Sequence, residues 1–354
     1  MTALKAHAAA METCLYCPKL CRHACPVATA SGRESVTPWG LMSRGAMILK
    51  GQRPLDQATA DIWSQCTGCG RCTQACKHEI PVAEVMADAR AETAAGGLVP
   101  EALRTWAEAD RPSSPAFDAL SEGGEIVLLP GWADDAQCQA AIGLVQHLSG
   151  DPPDRPQGGM HATGHRLVHI GLTAQGRAMT GRVAEAVGSS SEVICLEVED
   201  RDALVAAGCA RAVTLLQWVI ARVKPAGPIL GGFKGPTHRL VECCKHSAIE
   251  RVAVADLLAH VGVVIEIAGG PELSMPAKCC GARGGLSHTS PLVAREMAWD
   301  RVVVPPGMRD APEVVVAADM TCTRHLVASD PGDDPHHQIV HWSQLVYDAL
   351  KQRQ

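Results

Sequence analysis

The stretch CTGCGRCTQACK, residues 66–77, decides how this chain is read. Cys66, Cys69, Cys72 and Cys76 stand at the spacing C-x2-C-x2-C-x3-C, with Lys77 in the next position. One tight loop can turn three such thiols inward together, while the fourth points away. A second stretch, CLYCPKLCRHACP (14–26), repeats the scheme with Cys14, Cys17, Cys21 and Cys25. It keeps the C-x3-C-P ending and has one extra residue between its second and third cysteines.

This is the ligand spacing of two-cluster ferredoxins, in which three thiolates wrap three corners of an iron–sulfur cube and the fourth serves the other cube. On that logic one [4Fe–4S] cluster takes Cys14, Cys17, Cys21 and Cys76. The other takes Cys66, Cys69, Cys72 and Cys25, and the exchange staples the two segments into one fold. Zinc is the competing occupant, but zinc sites usually pair two C-x2-C knuckles rather than four consecutive cysteines ending in C-x3-C. Arg22, His23, Arg71, Lys77 and His78 flank the cysteines. They are either solvated surface or positive charge that raises a neighbouring cluster's potential.

The wider composition fits a metal-holding role. The chain has 354 residues, 16 of them cysteine, and 47% of it is apolar. Aromatics are only 3%, so the core rests on Ala, Val, Leu and Ile. A formal net charge of −6 gives no general attraction to nucleic acid or anionic lipid. The start, MTALKAHAAAMETC, has no apolar stretch of signal-peptide length. The run AVTLLQWVIA (212–221) falls short of the roughly 18–20 residues of a membrane helix. The expectation is a soluble, cytoplasmic protein without a transmembrane segment, and in a reducing cytosol so many cysteines hold metal rather than disulfides.

Residues 1–92 are expected to form a mainly helical domain with both clusters, including helices over TADIWSQ (59–65) and PVAEVMADARAE (81–92). Residues 93–124 read as a connecting segment with a short helix over EALRTWAEA. Beyond them, short β-rich runs alternate with helical stretches. The runs are EIVLLP, RLVHIG, EVICLEV, RLVEC, VVIEI, EVVVAA and QIVHW. This alternation predicts α/β units with mostly parallel sheets in two similar halves, 125–235 and 236–354, and an α+β chain overall. Neither GPILGGFKGP (227–236) nor HHQIVHW (336–342) makes a convincing phosphate or metal motif.

Cys138, Cys195 and Cys209 stand alone on apolar stretches and read as inert buried thiols. Five others gather after predicted strands: Cys243 and Cys244 in HRLVECCKHS, Cys279 and Cys280 in AKCCGARGG, and Cys322 in EVVVAADMTCTRH. Ends of parallel strands share one edge of a sheet, where ligands collect in open α/β folds. A vicinal Cys279–Cys280 disulfide is disfavoured, because neighbouring Cα atoms lie closer than disulfide geometry prefers.

These residues resemble the cysteine-rich CCG domain of the heterodisulfide reductase catalytic subunit and of iron–sulfur subunits of glycolate oxidase and anaerobic glycerol-3-phosphate dehydrogenase. The order, a two-cluster ferredoxin domain followed by CCG, is that of the fused heterodisulfide-reductase-like subunits. The resemblance implies a third iron–sulfur cluster, cubane or non-cubane, on Cys244, Cys279, Cys280 and Cys322. The first half lacks a CCG and is expected to be scaffold. The family's closing C-x2-C reads Asp319-Met320-Thr321-Cys322 here. Asp319 either ligates iron or caps the helix beginning near Thr321, and Cys243 is either a further ligand or a bystander. The function implied is an electron-transfer subunit of a hetero-oligomeric cytoplasmic oxidoreductase. Its partner would be a flavoprotein: an FAD-containing dehydrogenase, an electron-transfer flavoprotein or a heterodisulfide-reductase-type flavin subunit. The alternatives are a catalytic disulfide reductase working at the CCG cluster and a non-redox zinc-binding assembly factor.

Overall fold

Capping chemistry sets the helices that carry the cysteine runs. The Thr37 hydroxyl accepts the Gly40 amide and Pro38 follows it, so the helix Pro38–Leu49 starts there. Asp56 does the same for Gln57–Trp63, accepting the Thr59 amide at 2.9 Å. The computed structural model describes residues 2–19, 21–108, 125–131, 133, 135–155, 163–188, 190–223, 238–267, 275–302, 313–330 and 337–352. Both GPILGGFKGP and His336 lie outside them.

By contacts the chain divides into two units, neither continuous in sequence. The first comprises 1–111, 164–177 and 273–300; the second comprises 112–163, 178–272 and 301–354.

The first unit is helical. Its core contains Leu4, Met11, Leu41, Met42, Trp63, Val85 and Met86, with Cys14, Cys66, Cys72 and Cys76 packed against it. Helix Ala8–Leu15 lies against Pro38–Leu49, where a Cβ on Gly45 would come 2.6 Å from Met11 Sδ. The Trp63 indole donates to the Leu41 carbonyl at 3.1 Å, so its one polar group is satisfied inside the core. The run RLVHIG, expected as a strand, is instead the short helix His165–His169. Gly164 and Gly171 flank it with φ of 86° and 94°, and these left-handed positions limit it to one turn. Leu167 and Ile170, both buried, then share a face at helical spacing.

The second unit contains all the described strands: β1 (Ile126–Leu129), β2 (Glu192–Cys195), β3 (Ala212–Thr214), β4 (His238–Val241), β5 (Ile265–Ile267), β6 (Glu313–Ala317) and β7 (His337–His341). They form two parallel sheets, ordered β1-β2-β3 and β5-β4-β6-β7. Leu128 pairs with Ile194, and Leu240 with Val316. These residues share one core with Val254, Leu258, Trp218 and Trp342. β4 is buried along its whole length, as expected of a parallel strand covered on both faces. β3 was concealed in the run 212–221. Thr214 ends the strand and caps helix Leu215–Arg222 through a reciprocal box with Gln217. With helices in one region and two small parallel sheets in the other, the fold class is α+β, as the sequence predicts. Among the described residues no helix is long and apolar enough to cross a membrane.

Candidate metal centres

Eight cysteines of the first unit line two adjoining cavities. Cys14, Cys17, Cys21 and Cys76 border a cavity of about 550 Å³ together with Tyr16, Lys19, Trp39, Lys77 and His78. The longer spacing from Cys17 to Cys21 is taken up in a turn where Lys19 adopts φ 65° and accepts the Arg22 amide. Lys19 Nζ sits 4.1 Å from the Trp39 ring centroid. Tyr16 is 77% exposed at the cavity's edge. The charged groups lining this cavity are all basic.

Cys25, Cys66, Cys69 and Cys72 line the second cavity with Val27, Leu41, Thr67 and Val82; it closes to about 20 Å³. Gly68 and Gly70, with φ of 66° and 76°, turn the loop tightly enough to bring these thiols to one side. Cys72 and Val82 line both cavities, so one thiol and one apolar side chain form the shared wall.

The donor sets suit a positively charged core. Burial and then the neighbouring thiols Cys21, Cys76 and Cys17 push the Cys14 thiol up to about 12. Burial is also the chief cause at Cys25, pushed up to about 12, and at Cys69, pushed up to about 11. Cys72 and Cys21 are raised for the same first reason. Four crowded thiols resist ionisation on their own, and a bound iron core removes both penalties by neutralising them.

Charge around the inner cavity is buried rather than solvated. Arg71, in the helix Arg71–Gln74, is buried and donates to the Pro276 carbonyl. Arg90 is also buried; it donates to the His169 carbonyl at 2.6 Å and to the Cys66 carbonyl at 3.4 Å. Of the five cations flanking the cysteines in sequence, Arg22, His23, Lys77 and His78 are exposed and Arg71 is not. Arg90 lies far from either cysteine run, and only its place in an otherwise apolar helix face, VAEVMADAR, could have drawn notice.

The CCG segment belongs to this first unit. Cys279 and Cys280 are buried, and Cys279 is near enough to Cys69 to raise its thiol electrostatically. The glycines that follow pack against protein. A Cβ on Gly284 would come 2.7 Å from His169 Nε2 and 3.2 Å from Thr67 Cα; one on Gly285 would come 2.3 Å from Leu103 Cδ2. The segment therefore lies directly on the loop between Cys66 and Cys69. Trp106 completes the surroundings, edge-on to His169 and tilted against His288, with the Arg166 guanidinium 4.9 Å from its ring centroid.

Cys243, Cys244, Cys322 and Asp319 belong to the second unit. Asp319 is the N-cap of helix Met320–Ser329, its Oδ1 accepting the Cys322 amide at 3.3 Å. The Cys243 thiol is pushed well up, first by burial and then by hydrogen bonds with the Cys244 and Cys322 thiols and the charge of Asp319. His246 joins them, with ligand atoms of Cys243, His246 and Asp319 all within 4.8 Å of one another. Sequence reasoning passed over His246, although C-x2-H from Cys243 is a metal-ligand spacing. His341, at the end of β7, is buried and held down to about 3, chiefly by desolvation; its Nδ1 lies 2.8 Å from Ser343 Oγ.

Residues 10–80 match the 4Fe-4S dicluster domain family, a span that takes in both cysteine runs of the first unit. No curated protein and no solved structure matches the chain. The dicluster match makes this an iron–sulfur protein with an electron-transfer role.

Proposed function

We propose that the chain is the electron-transfer subunit of a larger oxidoreductase, carrying electrons between a flavoprotein and a second acceptor. The observation behind this reading is the shared wall: Cys72 and Val82 line both cysteine-lined cavities. Two [4Fe–4S] clusters, when bound, supply one-electron chemistry at neighbouring sites. Cys14, Cys17, Cys21 and Cys76 would hold the outer one, and Cys25, Cys66, Cys69 and Cys72 the inner one.

The protein's own part is to hold, tune and shield. The crossed ligands Cys25 and Cys76 tie the two runs together. Buried Arg71 and Arg90 put positive charge beside the inner set and favour its reduced state. Val27, Leu41 and Val82 exclude water from it. At the outer set, exposed Tyr16 and the Lys19, Lys77 and His78 rim suit docking of an acidic face, which a flavoprotein partner would present.

The test is anaerobic purification of the full chain with its co-purifying proteins. About eight irons with matching sulfide, and a paramagnetic signal from two interacting clusters on reduction, support the reading. Zinc without iron or sulfide overturns it. Iron well above eight per chain would extend it to the third centre expected from the CCG cysteines.

A further inference from the structure

The second unit carries a group of metal-ligating side chains that the two-cluster reading does not use. Val241 at the end of β4 pairs in register with Ala317 at the end of β6. Cys243 and Asp319 each lie two residues beyond that pair, so both leave the same sheet edge at the same level. His246 follows Cys243 by one turn, with the His246 amide donating to the Cys243 carbonyl at 3.2 Å. All three residues are buried, and among the described residues the His246 Nδ1 meets no hydrogen-bond partner. An imidazole nitrogen shut away from water without a partner is costly, and a metal ion relieves that cost.

We propose that Cys243, His246 and Asp319 bind a single zinc ion, with the Cys244 or Cys322 thiol closing the fourth position. The donor atoms lie within 4.8 Å of one another, and a tetrahedral zinc site needs them about 3.3–3.8 Å apart. A small inward movement of side chains is enough. Sulfur and nitrogen donors exclude magnesium and calcium, which take oxygen. A mixed sulfur, nitrogen and oxygen shell departs from the all-thiolate corners of an ordinary cubane cluster. The site is enclosed, which is the form of a structural zinc rather than a catalytic one.

Zinc has no redox chemistry, so this ion stands outside the electron path. Its work is to fasten the ends of β4 and β6 and the start of helix Met320–Ser329. The inference does not rest on the two-cluster reading, since it uses only second-unit residues.

The experiment is element analysis of the anaerobically purified full chain and of His246→Gln and Asp319→Asn. The expected result is about one zinc per chain in the parent, lost in both variants, with iron and sulfide unchanged. Absence of zinc from the parent, iron well above eight per chain (a third cluster claiming Cys244 and Cys322), retention of zinc in both variants, or loss of iron and sulfide in its place overturns the proposal. Zinc-edge X-ray absorption on the parent protein avoids any dependence on how the variants fold. A first shell containing sulfur together with nitrogen or oxygen supports the site. An all-sulfur shell would place the zinc in one of the cysteine-lined cavities and overturn it.

Discussion

The two cysteine-lined cavities are built from the same ligand type and differ in nearly everything around it. The outer one is about 550 Å³ and has exposed Tyr16 at its edge; the inner one is about 20 Å³ and is walled by apolar side chains. The outer one has solvated cations, whereas the inner one has buried guanidinium groups. Spacing within a cysteine run therefore sets which thiols can converge, and the surrounding packing decides whether the cavity they line is open or closed in by apolar side chains.

The largest expected effect tests the crossed ligands. Cys25→Ser should remove about half of the bound iron by losing the inner centre, and Cys76→Ser should do the same to the outer one. Iron and sulfide counts with spin quantitation of each variant check this. If Cys25→Ser spares the inner signal and damages the outer, the two cavities have been assigned the wrong way round.

Next comes the insulation itself. Gly285→Ala puts a methyl group 2.3 Å from Leu103 Cδ2 at a backbone φ of 66°. It should cost about 2–4 kcal/mol and make the inner centre more sensitive to chelators, while the outer centre keeps its lability. Thermal unfolding and timed iron release measure the two parts. Equal acceleration at both centres would mean that the glycine loop does not protect one of them selectively.

Charge gives a smaller change. Arg90→Met removes the guanidinium that donates to the Cys66 carbonyl. The inner potential should fall by roughly 50–100 mV, with little change at the outer centre. A redox titration followed by paramagnetic resonance reads both, and a shift confined to the outer centre breaks the comparison. The smallest effect belongs to the rim. Lys77→Glu should slow reduction of anionic ferricyanide about two- to five-fold at low salt, the gap narrowing as salt rises. Stopped-flow with a cationic cobalt complex as control shows whether charge is the cause.

Much of this was legible beforehand. The cysteine runs announced an iron–sulfur protein, as the dicluster match bears out, and the strand–helix alternation announced parallel sheets. What the sequence concealed was non-local. RLVHIG has the composition of a strand, but the glycines on either side of it confine it to a helical turn. Arg90 and His246 are single residues whose meaning depends on what packs beside them. AKCCGARGG reads as one edge of a sheet because it follows VVIEI, yet Gly284 packs against Thr67 and Gly285 against Leu103, roughly two hundred residues earlier in the chain. Close approach of that kind leaves no periodic trace.

That discontinuity also orders events during synthesis. A ribosome delivers both cysteine runs early, but the first unit is incomplete until Asp300 has emerged. Through that interval the loop between Cys66 and Cys69 lacks the segment that later lies on it. On the proposed ligand assignment, the inner thiols are then at their most reachable for iron delivery, and the last part of the unit to be translated shuts them in.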